Sequence, residues 1–137
     1  MTFVADASIG LAWCFPEEET PATRKLLDRV ADEAAVVPGF WFIELTNILA
    51  LSEKKGRISK EEVAEFIFLI EGFSLDVDHE CSTRAFAHLL PLCREHHLTA
   101  YDAIYLDLAR RRRLPLATLD RPLAKVAGKL GIKVLGQ

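Results

Sequence analysis

The chain has 137 residues, the size of one compact domain and too short for two ordinary ones, so a single domain over 1–137 is the expectation. Half of the residues are hydrophobic, enough to build a core without disulfides, which excludes a disordered chain. Lys and Arg number 17 against 20 Asp and Glu, and the formal charge of −3 excludes a histone-like protein held on nucleic acid by bulk charge, though not a local basic groove.

Thr2 to Ala5 is a short apolar run of strand character, and Ile9, Ala12 and Trp13 then recur at helical spacing over Ser8 to Phe15. Thr20 before Pro21 is an N-cap with proline at the first helical position, opening a helix through Leu26, Leu27 and Val30. Ala35 to Val37 is a second strand. Phe40 to Lys55 reads as a helix closed by Gly56, and Ser59 with Glu62 forms a capping box that starts the next helix, running to about Phe73. Ser74 to Val77 is a third strand, followed by a helical stretch from His79 to His96. Thr99 starts a helix through Arg113, Leu114 to Thr118 is a strand, Arg121 to Leu130 a helix and Ile132 to Leu135 a last strand. Strands alternating with helices predict an α/β fold, with a parallel sheet covered on both faces and short, wholly apolar strands.

Cys14, Cys81 and Cys93 are an odd set at wide spacings, which points to neither a disulfide framework nor a zinc site and fits a reducing cytoplasm. The start Met-Thr-Phe-Val-Ala-Asp lacks the basic opening of a signal peptide, so secretion is not expected. The longest uncharged apolar stretch, Ala34 to Ile43, is about half of the ~20 residues a membrane span needs and contains Pro38 and Gly39.

In parallel sheets, ligands bind beyond the carboxyl ends of the strands. Asp6 follows the first strand, and Asp120 follows the strand ending at Thr118. Glu44 lies on an apolar stripe with Phe40, Trp41, Ile48 and Leu51 as helical neighbours, and Asn47 one turn on is within hydrogen-bonding reach of it. Asp102 lies in the first turn of its helix beside Tyr101 and Tyr105. Taken singly, each acid has a structural explanation: Asp102 and Asp120 as helix starters, Asp6 as a turn former, Glu44 as the partner of an arginine. Together on one edge they would repel and raise one another's pKa values unless a divalent cation neutralised them. Oxygen ligands without His or Cys point to Mg2+ or Mn2+.

The remaining polar residues carry less. His79, His88, His96 and His97 lack metal-ligand spacing, and Ser8 has no triad or nucleophile-elbow context, leaving its hydroxyl to assist Asp6. Asp107, with Arg110 and Arg111 three and four residues on, is expected to make solvated ion pairs on an outer face. Arg110 to Arg113 form a basic run, read either as a solvated helix end or as a phosphate contact. Trp13, Phe15, Phe66, Phe68 and Phe73 are core candidates whose number also hints at an interface or a groove for a partner helix.

Four segments in this order, Val-Ala-Asp-Ala-Ser from residue 4, Phe-Ile-Glu-Leu-Thr-Asn from 42, Leu-Thr-Ala-Tyr-Asp-Ala-Ile-Tyr-Leu-Asp-Leu-Ala from 98 and Pro-Leu-Ala-Thr-Leu-Asp from 115, resemble the PIN-domain ribonucleases, specifically VapC-like toxins of toxin-antitoxin pairs. The resemblance covers essentially the whole chain. It implies a three-layer α/β/α fold with strand order 3-2-1-4-5 and a Mg2+- or Mn2+-dependent endoribonuclease acting on tRNA or rRNA, leaving 5′-phosphate and 3′-hydroxyl ends. Asp6, Glu44, Asp102 and Asp120 match the family's acidic positions, with Ser8, Thr118 and Asn47 as supporting polar residues. Asp6 and Asp102 with one or both of Glu44 and Asp120 would hold the metal, and Arg110 to Arg113, Arg121 and Lys125 are rim candidates. A homodimer and a cognate antitoxin are further implications. The competing expectation is a non-catalytic RNA-binding or signalling module on a similar sheet. A phospho-acceptor receiver would want an adjacent acidic pair after the first strand, where Asp6 is followed by Ala7 and Ser8.

Overall fold

The computed structural model describes residues 2–137. Its five strands, β1 (Val4–Ala5), β2 (Ala35–Pro38), β3 (Leu75–Asp78), β4 (Leu116–Ala117) and β5 (Val134–Leu135), form one parallel sheet in the order β3-β2-β1-β4-β5. The helices are α1 (Ala7–Cys14), α2 (Pro21–Asp32), α3 (Gly39–Lys54), α4 (Lys60–Glu71), α5 (Leu90–His96), α6 (Ala100–Arg112) and α7 (Arg121–Lys129). The α/β class with a parallel sheet is that expected from the alternating strands and helices, and the strand order is the one the family resemblance implies. Among the described residues, no helix is long and apolar enough to cross a membrane.

The helix starts follow the local chemistry. Thr20 accepts the Thr23 amide while the Thr23 hydroxyl takes the Thr20 amide, and Ser59 and Glu62 make the same reciprocal pair at α4. Gly10 sits inside α1 because a Cβ there would come within 2.8 Å of the Trp41 ring. That close approach brings α1 against α3, and the fully buried Trp41 donates its indole N–H to the Asp6 carbonyl at 3.0 Å. The core is continuous, with Phe3, Val4, Ile9, Val36, Trp41, Leu106, Leu116 and Leu123 all at 2 % exposure or less.

Three expectations need correction. The helix expected from His79 to His96 does not begin at His79. Residues up to Asp78 extend β3, the Glu80 amide caps back onto Asp78 Oδ1, and a single wide π-helical turn (Ala85–Leu89) leads into α5. Pro91 at the start of α5 has no N–H to return to the preceding turn, which favours a break in the ordinary ladder there. Nor are the strands wholly apolar. Asp76 and Asp78 on β3 are paired with Arg111 and Arg112 at the end of α6. Asp107, expected on a solvated face, is 2 % exposed and takes a bidentate contact from Arg84 at 2.6 and 3.0 Å, with Arg111 at 3.8 Å. Burial alone would push the Asp78 carboxyl up, but hydrogen bonds from Arg111, the Glu80 amide and Arg112 outweigh it and hold it below the usual carboxylate range. This network fastens the edge strand β3 to α6.

Of the aromatic residues expected in the core or at an interface, Phe15 and Phe66 are buried, and Trp13 and Phe73 are half-buried and meet edge to face. Phe68 is 82 % exposed on α4.

Candidate active site

Asp6 is fixed through its backbone before its side chain enters the argument. Its amide donates to the Ala117 carbonyl at 3.1 Å, extending the β1–β4 ladder, while its carbonyl accepts from Trp41. Its carboxylate caps α1 by accepting the Ile9 amide at 3.2 Å. Ser8 Oγ donates to Asp6 Oδ1 at 2.5 Å and accepts the Leu119 amide at 2.9 Å. The fully buried Thr118 donates to Asp6 Oδ2 and accepts the Asp120 amide at 3.0 Å. Two hydroxyls thus tie the ends of β1 and β4 together through one carboxylate.

Asp120 follows from this arrangement, capping α7 by accepting the Leu123 amide at 2.9 Å. Glu44 comes from the second turn of α3, the helix that leaves the end of β2, and Asp102 from the first turn of α6, where Thr99 accepts its amide. Asp120 is the helix starter the sequence suggested and Asp6, expected only as a turn former, also caps a helix, whereas Asp102 lies in the first turn of α6 with Thr99 as the cap. Among the described residues, no arginine pairs with Glu44. Its partner is Tyr105, whose hydroxyl donates to Glu44 Oε1 at 2.5 Å from a side chain buried one turn beyond Asp102. Asn47 is exposed, and among the described residues it makes no hydrogen bond to Glu44.

The electrostatics show that the acids face a common space. Burial, with a smaller push from Asp120, raises the Asp6 carboxyl to about 6 against the pull of Ser8, Thr118 and the Ile9 amide. Burial raises Glu44 as well, opposed by the Tyr105 hydrogen bond and reinforced by the charges of Asp6 and Asp102. Asp102 is raised by burial and by the charge of Asp120. Burial and the neighbouring carboxylate of Glu44 keep the Tyr105 phenol protonated far above its ordinary range. Among the described residues, no Lys or Arg is a leading cause of the shifts at Asp6, Glu44 or Asp102. A site of mutual repulsion without a compensating cation, built from oxygen donors alone, fits a hard divalent ion. Among the described residues, no group of three or more His, Cys, Asp and Glu side chains is arranged to hold a metal ion.

The basic rim is smaller than expected. Arg111 and Arg112 are committed to Asp76, Asp78 and Glu80, and Arg110 and Arg113 line a hollow with Pro115 and Lys133 at the start of β4. At 1.5 Å per residue, Arg113 lies about 16 Å along α6 from Asp102, at the opposite edge of the sheet. Arg121 and Lys125, both exposed on α7, remain beside the acidic edge. Tyr105 is the residue that sequence reasoning missed in this role. The signal was present in its spacing, since a tyrosine three residues after Asp102 shares its helix face.

None of the curated proteins compared with the chain matches it. The crystal structure of PAE2754 from Pyrobaculum aerophilum is similar in fold, with a TM-score of 0.69 and 22 % sequence identity over 98 % of this chain and 83 % of that one. The family model described as PIN domain matches residues 3–129, so the chain belongs to the PIN domain family, whose members are typically nucleases.

Proposed function

We propose that the chain is a Mg2+- or Mn2+-dependent endoribonuclease and acts as the toxin of a toxin-antitoxin pair. The observation that carries the nuclease assignment is the convergence of Asp6, Glu44, Asp102 and Asp120 on one sheet edge, where burial and neighbouring carboxylate charge raise the carboxyls of Asp6, Glu44 and Asp102. Asp6 and Asp102, with one or both of Glu44 and Asp120, would hold the ion. When bound, such an ion orients a water, promotes its deprotonation for in-line attack on a phosphodiester and stabilises the leaving oxygen.

The chain's own residues supply the frame. Ser8 and Thr118 fix the direction of the Asp6 carboxylate, and Tyr105 does the same for Glu44 Oε1, leaving Oε2 for a ligand. Arg121 and Lys125 are placed to meet phosphates that the acids alone would repel. The resemblance to VapC-like toxins supports structured RNA such as tRNA or rRNA as the target, a homodimer and a cognate antitoxin. An apolar groove between α3 and α4, with Phe42 and Ile67 exposed along it, offers such an antitoxin a place for an amphipathic helix.

The test is cleavage of end-labelled total RNA by purified protein in Mg2+, Mn2+ or EDTA, beside Asp102→Asn prepared identically. Discrete cleavage that needs metal and disappears in the variant is the expected result. Metal-independent cleavage, or equal cleavage by Asp102→Asn, refutes the assignment. RNA binding without any cleavage would favour the non-catalytic module.

A further inference from the structure

Each of the two helices that carry an acid into the site from the β2 side also carries an aromatic residue next to it. Phe40 lies one turn before Glu44 on α3, and Tyr101 immediately precedes Asp102 on α6. The two rings stack across the helices, with centroids 5.1 Å apart and planes 9° from parallel. Phe40 is half-buried beneath, whereas Tyr101 is 57 % exposed, so one face of its ring is covered by Phe40 and the other is open to solvent. We propose that the open face of Tyr101 is a stacking platform for one unpaired nucleobase of single-stranded RNA, next to the phosphodiester that lies over the acids. The proposal rests on the nuclease assignment above and adds to it a subsite and a preference for unpaired nucleotides.

Three physical points support this occupant. The acidic side chains repel phosphates, and the arginine run on α6 is at the far end of the strands or engaged with Asp76, Asp78 and Glu80. The remaining rim cations, Arg121 and Lys125, belong to α7 on the β4 side, so the β2 side needs an attraction that does not depend on charge. Stacking on an aromatic face provides one, and every base has a π-face to offer. A base within a duplex is stacked on its neighbours and closed to such a platform, so a flat, exposed ring beside the site selects loops, bulges and single strands. The Phe40 ring underneath holds Tyr101 in one orientation, so little freedom is lost when a base settles on it.

The experiment measures binding of a fluorescein-labelled 12-nucleotide single-stranded RNA by anisotropy in Mn2+. It uses protein carrying Glu44→Gln to suppress cleavage, with Tyr101, Tyr101→Leu or Tyr101→Trp. Leucine keeps apolar cover over Phe40 without a flat ring, and tryptophan restores the ring. Stacking contributes about 1–3 kcal/mol per base, so Tyr101→Leu should weaken binding by about 5- to 150-fold and Tyr101→Trp should retain it. A second set of RNAs, with one abasic nucleotide walked along the strand, should show a position where loss of the base weakens binding to Tyr101 protein but not to Tyr101→Leu. Melting temperatures without metal confirm that all variants are folded. Equal binding by folded Tyr101→Leu, or abasic penalties identical in both proteins, overturns the platform while leaving the nuclease assignment intact. Absence of RNA binding by every variant overturns the platform, and failure of the parent chain to cleave RNA marks failure of the nuclease assignment separately.

Discussion

The Asp6 carboxyl is 5 % exposed and raised from an ordinary value of 3.8 to about 6, chiefly by burial. A carboxyl that binds its proton more tightly in the folded state contributes stability that is complete below the unfolded pKa and lost as pH rises through the folded one. A shift of about two units corresponds to about 3 kcal/mol in all. Most of this, about 2 kcal/mol, should be lost between pH 4.5 and pH 7. Glu44 and Asp102 push in the same direction and Asp78 in the opposite one, so the profile of wild-type protein alone does not isolate Asp6. The comparison is therefore between wild type and Asp6→Asn, unfolded by urea in EDTA at several pH values. Asparagine remains a competent helix cap and does not ionise. Relative to wild type, Asp6→Asn should gain about 2 kcal/mol across that interval, because only the wild type has a buried charge to develop. A difference that is flat with pH, or that runs the other way, would show that Asp6 is as well solvated or as well compensated as a surface carboxylate.

Two further predictions concern contacts that the fold places around this edge. Tyr105→Phe should cost about 1.5–3 kcal/mol at pH 7.5 while Glu44 is charged, and about 1 kcal/mol in a Glu44→Gln background where the hydrogen bond is neutral. Equal costs in the two backgrounds, read by urea denaturation, would mean that the Tyr105 hydroxyl does not serve the carboxylate. Asp107→Ala should lower stability toward the lower end of about 3–5 kcal/mol, since Arg84 is left without its buried partner but keeps some access to water. A loss below about 1 kcal/mol, the value of an exposed pair, would place Asp107 on the surface after all.

The path from residues to fold was short wherever one local rule governed. The Thr20 cap, the Ser59 box, the apolar β2 and the helix after it could be read from the sequence because caps, proline and apolar runs act within a few residues. Asp6 and Asp120 were legible for the same reason, since each closes a strand and opens a helix. What escaped was decided by partners far along the chain. Asp107 stands at ideal spacing from Arg110 and Arg111, yet Arg84, 23 residues earlier, takes it into the interior. The basic run of α6 looked free because nothing nearby in sequence announces that Asp76 and Asp78 would reach it from β3. Glu44 was correctly marked as a carboxylate on an apolar face, but its partner came from a helix 61 residues away rather than from Asn47. Periodicity gives the face a side chain occupies, and tertiary packing decides what meets it there.

The most direct test of the site is to locate the ion. A crystal grown without metal and then equilibrated with Mn2+ should give an anomalous peak at the carboxyl ends of β1 and β4. The ion should lie about 2.0–2.3 Å from oxygens of at least two of Asp6, Glu44, Asp102 and Asp120. A well-ordered acidic edge with no peak at saturating Mn2+, or an ion bound elsewhere on the chain, would contradict the assignment of these four residues as one metal-binding site.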